Sequence, residues 1–189
     1  MKKDIIIKLF VASILILIVN DSYAIKSRKD YFMKPQIGVW FGPITPMAET
    51  GEKLETALGG GAYFRYNAPW KSLKIGLDIS YHNFTSQGID ELTCVPIYAS
   101  FIYQIPIDLP VRFQLKAGAG FSWVNIIPDE WEQWDPMFMG GVEMSFPAGR
   151  SVNIGLRIDY IHINETLFID GAHRNGHLLN TGIMVYFNI

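Results

Sequence analysis

The segment Val111–Trp123, VRFQLKAGAGFSW, sets Val111, Phe113, Leu115, Ala117, Ala119, Phe121 and Trp123 on one parity. Arg112, Gln114, Lys116, Gly118, Gly120 and Ser122 occupy the other. A strand turns successive side chains to opposite faces, so this segment is a strand with one oily side and one charged, glycine-rich side. The same two-residue period recurs along the chain, and no stretch after the N-terminus keeps a helical apolar period. The alternation predicts strands at about 36–46, 60–66, 73–84, 93–105, 111–127, 136–146, 152–164 and 177–189.

The connections alternate in length. Tight turns (NAPWKS, PIDLP, PAGRS) follow the second, fourth and sixth strands. Longer segments follow the others: MAETGEKLETALG, TSQGIDEL, PDEWEQWD and ETLFIDGAHRNG. Short on one side and long on the other is the layout of an up-and-down transmembrane barrel. Closure of an even set of strands is then required, because lipid cannot satisfy an open strand edge. The predicted fold is all-β, an eight-stranded antiparallel up-and-down transmembrane barrel.

The two faces can be compared between strands. Leu73, Ile75, Leu77, Ile79 and Tyr81, or Val152, Ile154, Leu156, Ile158 and Tyr160, are aliphatic in mid-strand and aromatic toward an end, as a bilayer selects. The alternates are small or charged, with Arg65, Lys74, Arg112, Lys116 and Arg157 against Asp78, Glu143 and Asp159. Small residues and mixed charges suit a narrow lumen, where opposite charges neutralise one another. The oily face is therefore expected outside and these eight residues are expected as a lumen charge network. Leu115→Arg is expected to lower folding yield more than Gln114→Arg.

The N-terminus reads as an export signal. Lys2 and Lys3 precede the apolar run Ile5–Val19, and Ser22 and Ala24 have the small side chains of a cleavage site after Ala24. The organisation expected is a signal peptide at 1–24, a periplasmic N-terminal lead at 25–35 and an outer-membrane β-barrel domain at 36–189. The full chain has 189 residues with 16 Lys/Arg and 18 Asp/Glu, a net charge of −2. Loss of three bases and two acids with the signal leaves −3, which does not suggest a nucleic-acid partner. Cys94 is the only cysteine, so an internally disulfide-stapled scaffold is excluded.

The stretch VPIYASFIYQIPIDLPVRFQLKAGAGFSW and the closing row Leu179, Thr181, Ile183, Val185 and Phe187 resemble the small eight-stranded outer-membrane proteins of the OmpA/OmpX-like barrel group. The resemblance implies residence in a bacterial outer membrane with lipid as partner. Gly38-Val39-Trp40 matches the first-strand signature of lipocalins, which leaves a secreted carrier as a minor alternative. RIDYIHINET is similar to the seventh strand of the outer-membrane lipid A deacylases, which implies a lipid A-modifying hydrolase as the alternative function. Asn164 stands where that family has its nucleophilic serine, and an amide cannot replace an activated hydroxyl.

The histidines (His82, His162, His173 and His177) show no His-x-His or His-x₃-His ligand spacing, so no metal, cofactor or catalytic residue is expected. The long connections are acidic. In the third of them Trp131 and Trp134 stand among Asp129, Glu130, Glu132 and Asp135, the composition of a contact surface for a basic or carbohydrate partner. The expected function is a non-enzymatic, monomeric surface protein, structural or adhesive, with an extracellular ligand held through acidic loops.

Overall fold

In the computed structural model the described residues are 34–52, 54–68, 72–85, 91–107, 109–127, 131–149, 151–164 and 175–189. The expected signal peptide (1–24) and most of the expected lead (25–35) lie outside them. The chain forms β1 (Gln36–Pro46), a 3₁₀ turn (Ala48–Glu52), β2 (Ala57–Asn67), β3 (Leu73–Thr85), β4 (Glu91–Gln104), β5 (Arg112–Ile127), β6 (Trp131–Pro147), β7 (Val152–Asn164) and β8 (Asn175–Asn188). Each strand pairs antiparallel with its neighbours in sequence, and β1 closes on β8 from Gln36↔Asn188 to Pro46↔Leu178. The closure leaves no open edge, the condition for strands to cross lipid. Beyond β8, the amide of Ile189 donates to the Pro35 carbonyl at 2.9 Å, tying the residue after β8 to the one before β1.

The exposure pattern is that of a barrel turned outward. On β3, Lys74, Gly76, Asp78, Ser80, His82 and Phe84 are buried, whereas Ile75, Leu77, Ile79 and Tyr81 are exposed. The other strands repeat this, with Val39, Phe41, Phe64, Phe101, Leu115, Phe121, Phe138, Val142, Leu156 and Ile183 on the outer wall. Such a continuous apolar belt far exceeds the isolated patches of a water-soluble monomer. Tyrosines 66, 81, 103 and 160, with Trp134, are exposed on the same outer surface. A soluble carrier of the lipocalin kind has the reverse distribution, and that alternative is set aside.

One boundary differs appreciably from expectation. β6 begins at Trp131 rather than at 136, and only residues 128–130 separate it from β5. Cross-strand pairs Ile126↔Trp131, Asn125↔Glu132 and Trp123↔Trp134 continue the ladder through the acidic, Pro-flanked run. The strand has outgrown the membrane there. Wall in contact with water tolerates carboxylates and needs no apolar alternation, so the local pattern reads as loop.

Candidate functional site

The interior is filled from wall to wall. At mid-barrel, Arg65 on β2 makes a two-pronged contact with Glu143 on β6, Nη1 to Oε2 at 2.8 Å and Nη2 to Oε1 at 2.7 Å. Arg65 Nη1 also reaches Gln114 Oε1 at 3.3 Å. Lys116 on β5 lies 3.2 Å from Glu143 and 3.0 Å from Asp159, with Asp78 at 3.8 Å. Arg157 on β7 donates to Asp159 through Nε at 2.7 Å and through Nη2, and Nη2 also donates to the Tyr98 hydroxyl at 3.1 Å. Its remaining terminal nitrogen is 3.7 Å from Asp78, which accepts further bonds from Ser100 and Tyr98.

Aromatic faces complete the packing. The Arg65 guanidinium stands 4.1 Å over the Tyr63 ring and that of Arg157 stands 4.5 Å over Trp40. Glycine at 141 is dictated by this crowding, since a Cβ there would collide with the Asp159 carboxylate and the Ile158 carbonyl.

Arg65, Lys116 and Arg157 thus face Asp78, Glu143 and Asp159, and the central set balances. The other two lumen cations lie toward the short-turn end, and the contacts described for them are to amide and carbonyl oxygens. Lys74 donates to the Lys34 carbonyl and to Asn67 Oδ1, both at 2.8 Å, and Arg112 to Asn153 Oδ1 at 3.2 Å.

Toward the long-loop end the lumen changes character. Ile44, Phe84, Val124, Met137, Ile161, Ile163 and Leu178 are buried in one cluster, an apolar storey above the charged one. Comparison of faces did not single these residues out. The available signal was apolar residues on the lumen parity near strand ends, as in Phe84, Ile161 and Ile163.

With described side chains buried in both storeys, the protein reconstituted in planar bilayers is expected to show no stepwise porin conductance. Stable ohmic steps would contradict a filled lumen.

The residues expected to form a loop contact surface are dispersed. Trp134 is on the outer wall, 58% exposed, beside its cross-strand partner Trp123. Asp135 points inward and is 1% exposed, accepting from Gln133 at 2.8 Å. Glu132 is exposed on the Trp134 side, Trp131 is the first residue of β6, and Asp129 and Glu130 lie outside the described residues. The sequence places these six side by side, and the strand period divides those that can be located between wall and lumen.

The histidines also separate. His82 is buried in the lumen with ring centroids 6.2 Å from both Trp40 and Phe84. His162 and His177 face each other on the outer wall, centroids 4.9 Å apart, and His173 is outside the described residues. By register His162 neighbours Phe138 and His177, and two positions along its strand stands Asn164. Among the described residues there is no group of three or more His, Cys, Asp or Glu side chains able to hold a metal.

Closed antiparallel topology, apolar exterior and filled interior define the class: a small eight-stranded up-and-down β-barrel with the fold of the small outer-membrane barrel proteins. A protein-family model matches residues 19–187, and the chain belongs to that family. Among solved structures, Neisserial surface protein A (NspA) is 13% identical with a TM-score of 0.65, over 82% of this chain and 97% of that one. The N-terminal β-barrel domain of Pseudomonas aeruginosa OprF is 14% identical with a TM-score of 0.55, over 83% and 98%. Ail, the attachment invasion locus protein of Yersinia pestis, is 10% identical with a TM-score of 0.50, over 82% and 97%. These likenesses are of fold. No curated protein sequence matches the chain.

Proposed function

We propose that this is a non-enzymatic surface barrel acting through its loop end, in adhesion or in stabilising the membrane, after export directed by residues 1–24. The observation that carries the reading is the filled lumen. Its six central charges are committed to one another, so chemistry with the surroundings is left to the wall and the rim. The rim is acidic: Glu52, Glu55, Glu91 and Glu132 are all exposed there. Glu55 is joined to the β3 end by its amide, which donates to the Thr85 carbonyl at 3.3 Å, and Thr85 pairs with Glu91. A basic protein surface is the partner such a rim attracts. A fold shared with a protein named for attachment supports the adhesive form of the proposal.

Trp134 is reassigned within this reading. Its outward position beside Trp123 is that of an interfacial anchor, where an amphipathic ring sits at headgroup level. The contact surface is then carried by the carboxylates, with Asp129 and Glu130 as further candidates beyond β5.

The test is capture of matrix and serum proteins by the refolded, immobilised barrel, beside a variant with Glu52, Glu55, Glu91 and Glu132 all changed to Gln. A partner retained by the native rim and lost by the variant, with binding that weakens as salt rises, is the expected result. Equal retention by both removes the acidic rim from the proposal. No retention by either favours the membrane-stabilising role.

A further inference from the structure

We propose that His162 and His177 form a two-imidazole site for a transition-metal cation of the Cu²⁺, Zn²⁺ or Ni²⁺ kind, on the outer wall at the loop end. The two residues are direct cross-strand partners on β7 and β8, on the outward face that also carries Tyr160. Their rings are 4.9 Å apart between centroids and inclined at 42°. An imidazole nitrogen binds such an ion at about 2.0–2.1 Å, which puts the metal about 3.2 Å from each ring centroid. With each ring turned so that one nitrogen faces a shared ion, the observed separation gives a nitrogen–metal–nitrogen angle of about 100°, between square and tetrahedral, the range these ions accept.

The second observation is that His177 has a partner on its far nitrogen, the Tyr160 hydroxyl. The Tyr160 hydroxyl lies 2.5 Å from His177 Nδ1 and its ring stacks on the imidazole at 6.0 Å and 29°. In the tautomer in which Nδ1–H donates to the tyrosine oxygen, Nε2 keeps its lone pair for a cation, which is how ligating histidines are oriented. The backbone is pinned as well. The His177 amide donates to Thr50 Oγ1 at 3.1 Å, and its carbonyl accepts from the Met47 amide at 2.8 Å. The 3₁₀ turn and the first strand therefore position the start of β8.

Both rings are half-buried and open to the outside rather than to the lumen, so an ion can reach them and water can complete its coordination. Two neighbouring imidazoles, with no carboxylate beside them among the described residues, select borderline metals over Mg²⁺ or Ca²⁺, which take oxygen ligands. An ion there would clamp β7 to β8 at the end where residues 165–174 connect them.

The experiment uses refolded, tag-free protein in detergent micelles, titrated with Cu²⁺ and read by electron paramagnetic resonance, then with Zn²⁺ by calorimetry. The expected result is one ion per barrel with hyperfine coupling to two imidazole nitrogens. His162→Ala and His177→Ala should each weaken binding at least tenfold. Tyr160→Phe should weaken it by about tenfold while keeping both nitrogens in the spectrum. His173→Ala should leave binding unchanged, and heat-modified gel mobility confirms that each variant is folded. A wild-type spectrum with fewer than two nitrogens overturns the proposal without recourse to any variant. So does binding that survives the double alanine variant, or that is lost with His173 instead.

Discussion

Glu143→Ala is expected to lower the folding stability of the barrel by about 3–5 kcal/mol, the usual cost of stranding a buried charge. Glu143 and Arg65 are fully enclosed, and the carboxylate takes both prongs of the guanidinium while also contacting Lys116. Its removal leaves Arg65 the Gln114 oxygen and the face of Tyr63 but no facing carboxylate in contact, and tips the central set to three cations against two anions. Lys116 loses less, because Asp159 and Asp78 remain beside it. The double variant Arg65→Met, Glu143→Leu should regain most of the loss, since it removes both charges together and leaves Lys116 and Arg157 matched to Asp78 and Asp159. Urea unfolding in lipid vesicles, followed by tryptophan fluorescence, measures both. A single variant within about 1 kcal/mol of the wild type would mean that the network contributes little beyond filling space.

The second large effect belongs to the other face. Ile79→Arg should cost about 2–4 kcal/mol, because the side chain leaves the middle of β3 directly into hydrocarbon. Its cross-strand neighbours are Ala62 and Ile97, and it is 48% exposed on the outer wall. Leu115→Arg is expected to cost less than Ile79→Arg, since Leu115 lies near the start of β5 where a long cation can extend to the interface. Leu58→Arg, near the loop-side start of β2, should fall to about 0–1 kcal/mol. This graded series is a sharper test than the comparison of Leu115 with Gln114, which packs against Arg65 and would place a second guanidinium beside the first. Folding yield into vesicles reads the order. Equal losses at Ile79 and Leu58 would contradict a bilayer around the barrel.

Much of the fold is legible in the chain because it is local. Alternation on β3, β5 and β7 marks strands and separates their faces, and the faces identify the solvent of each. The sequence reading fails where that local signal stops describing the environment. Trp131–Asp135 looks like a loop because it is acidic and borders Pro136, yet its ladder to β5 is intact. The division of its side chains between wall and lumen then follows from strand geometry. The upper lumen was missed for the opposite reason. Apolar residues such as Met137 and Leu178 occur on both parities near the strand ends, and alternation there no longer separates inside from outside.

By itself the sequence determined that this chain alternates with a period of two in eight segments, that one face suits lipid, and that charges of both signs occupy the other. Those properties depend on neighbours two residues away and need no knowledge of closure. Which charges meet was decided only by the tertiary structure. Arg65 and Glu143 are 78 positions apart and touch across the lumen because eight ladders in fixed register close the sheet. The same closure balances the central charges, sends Lys74 and Arg112 to the mouth, and brings His162 against His177. Register and stagger are set by hydrogen bonds between strands, and no local pattern encodes the sum of eight of them around a closed wall.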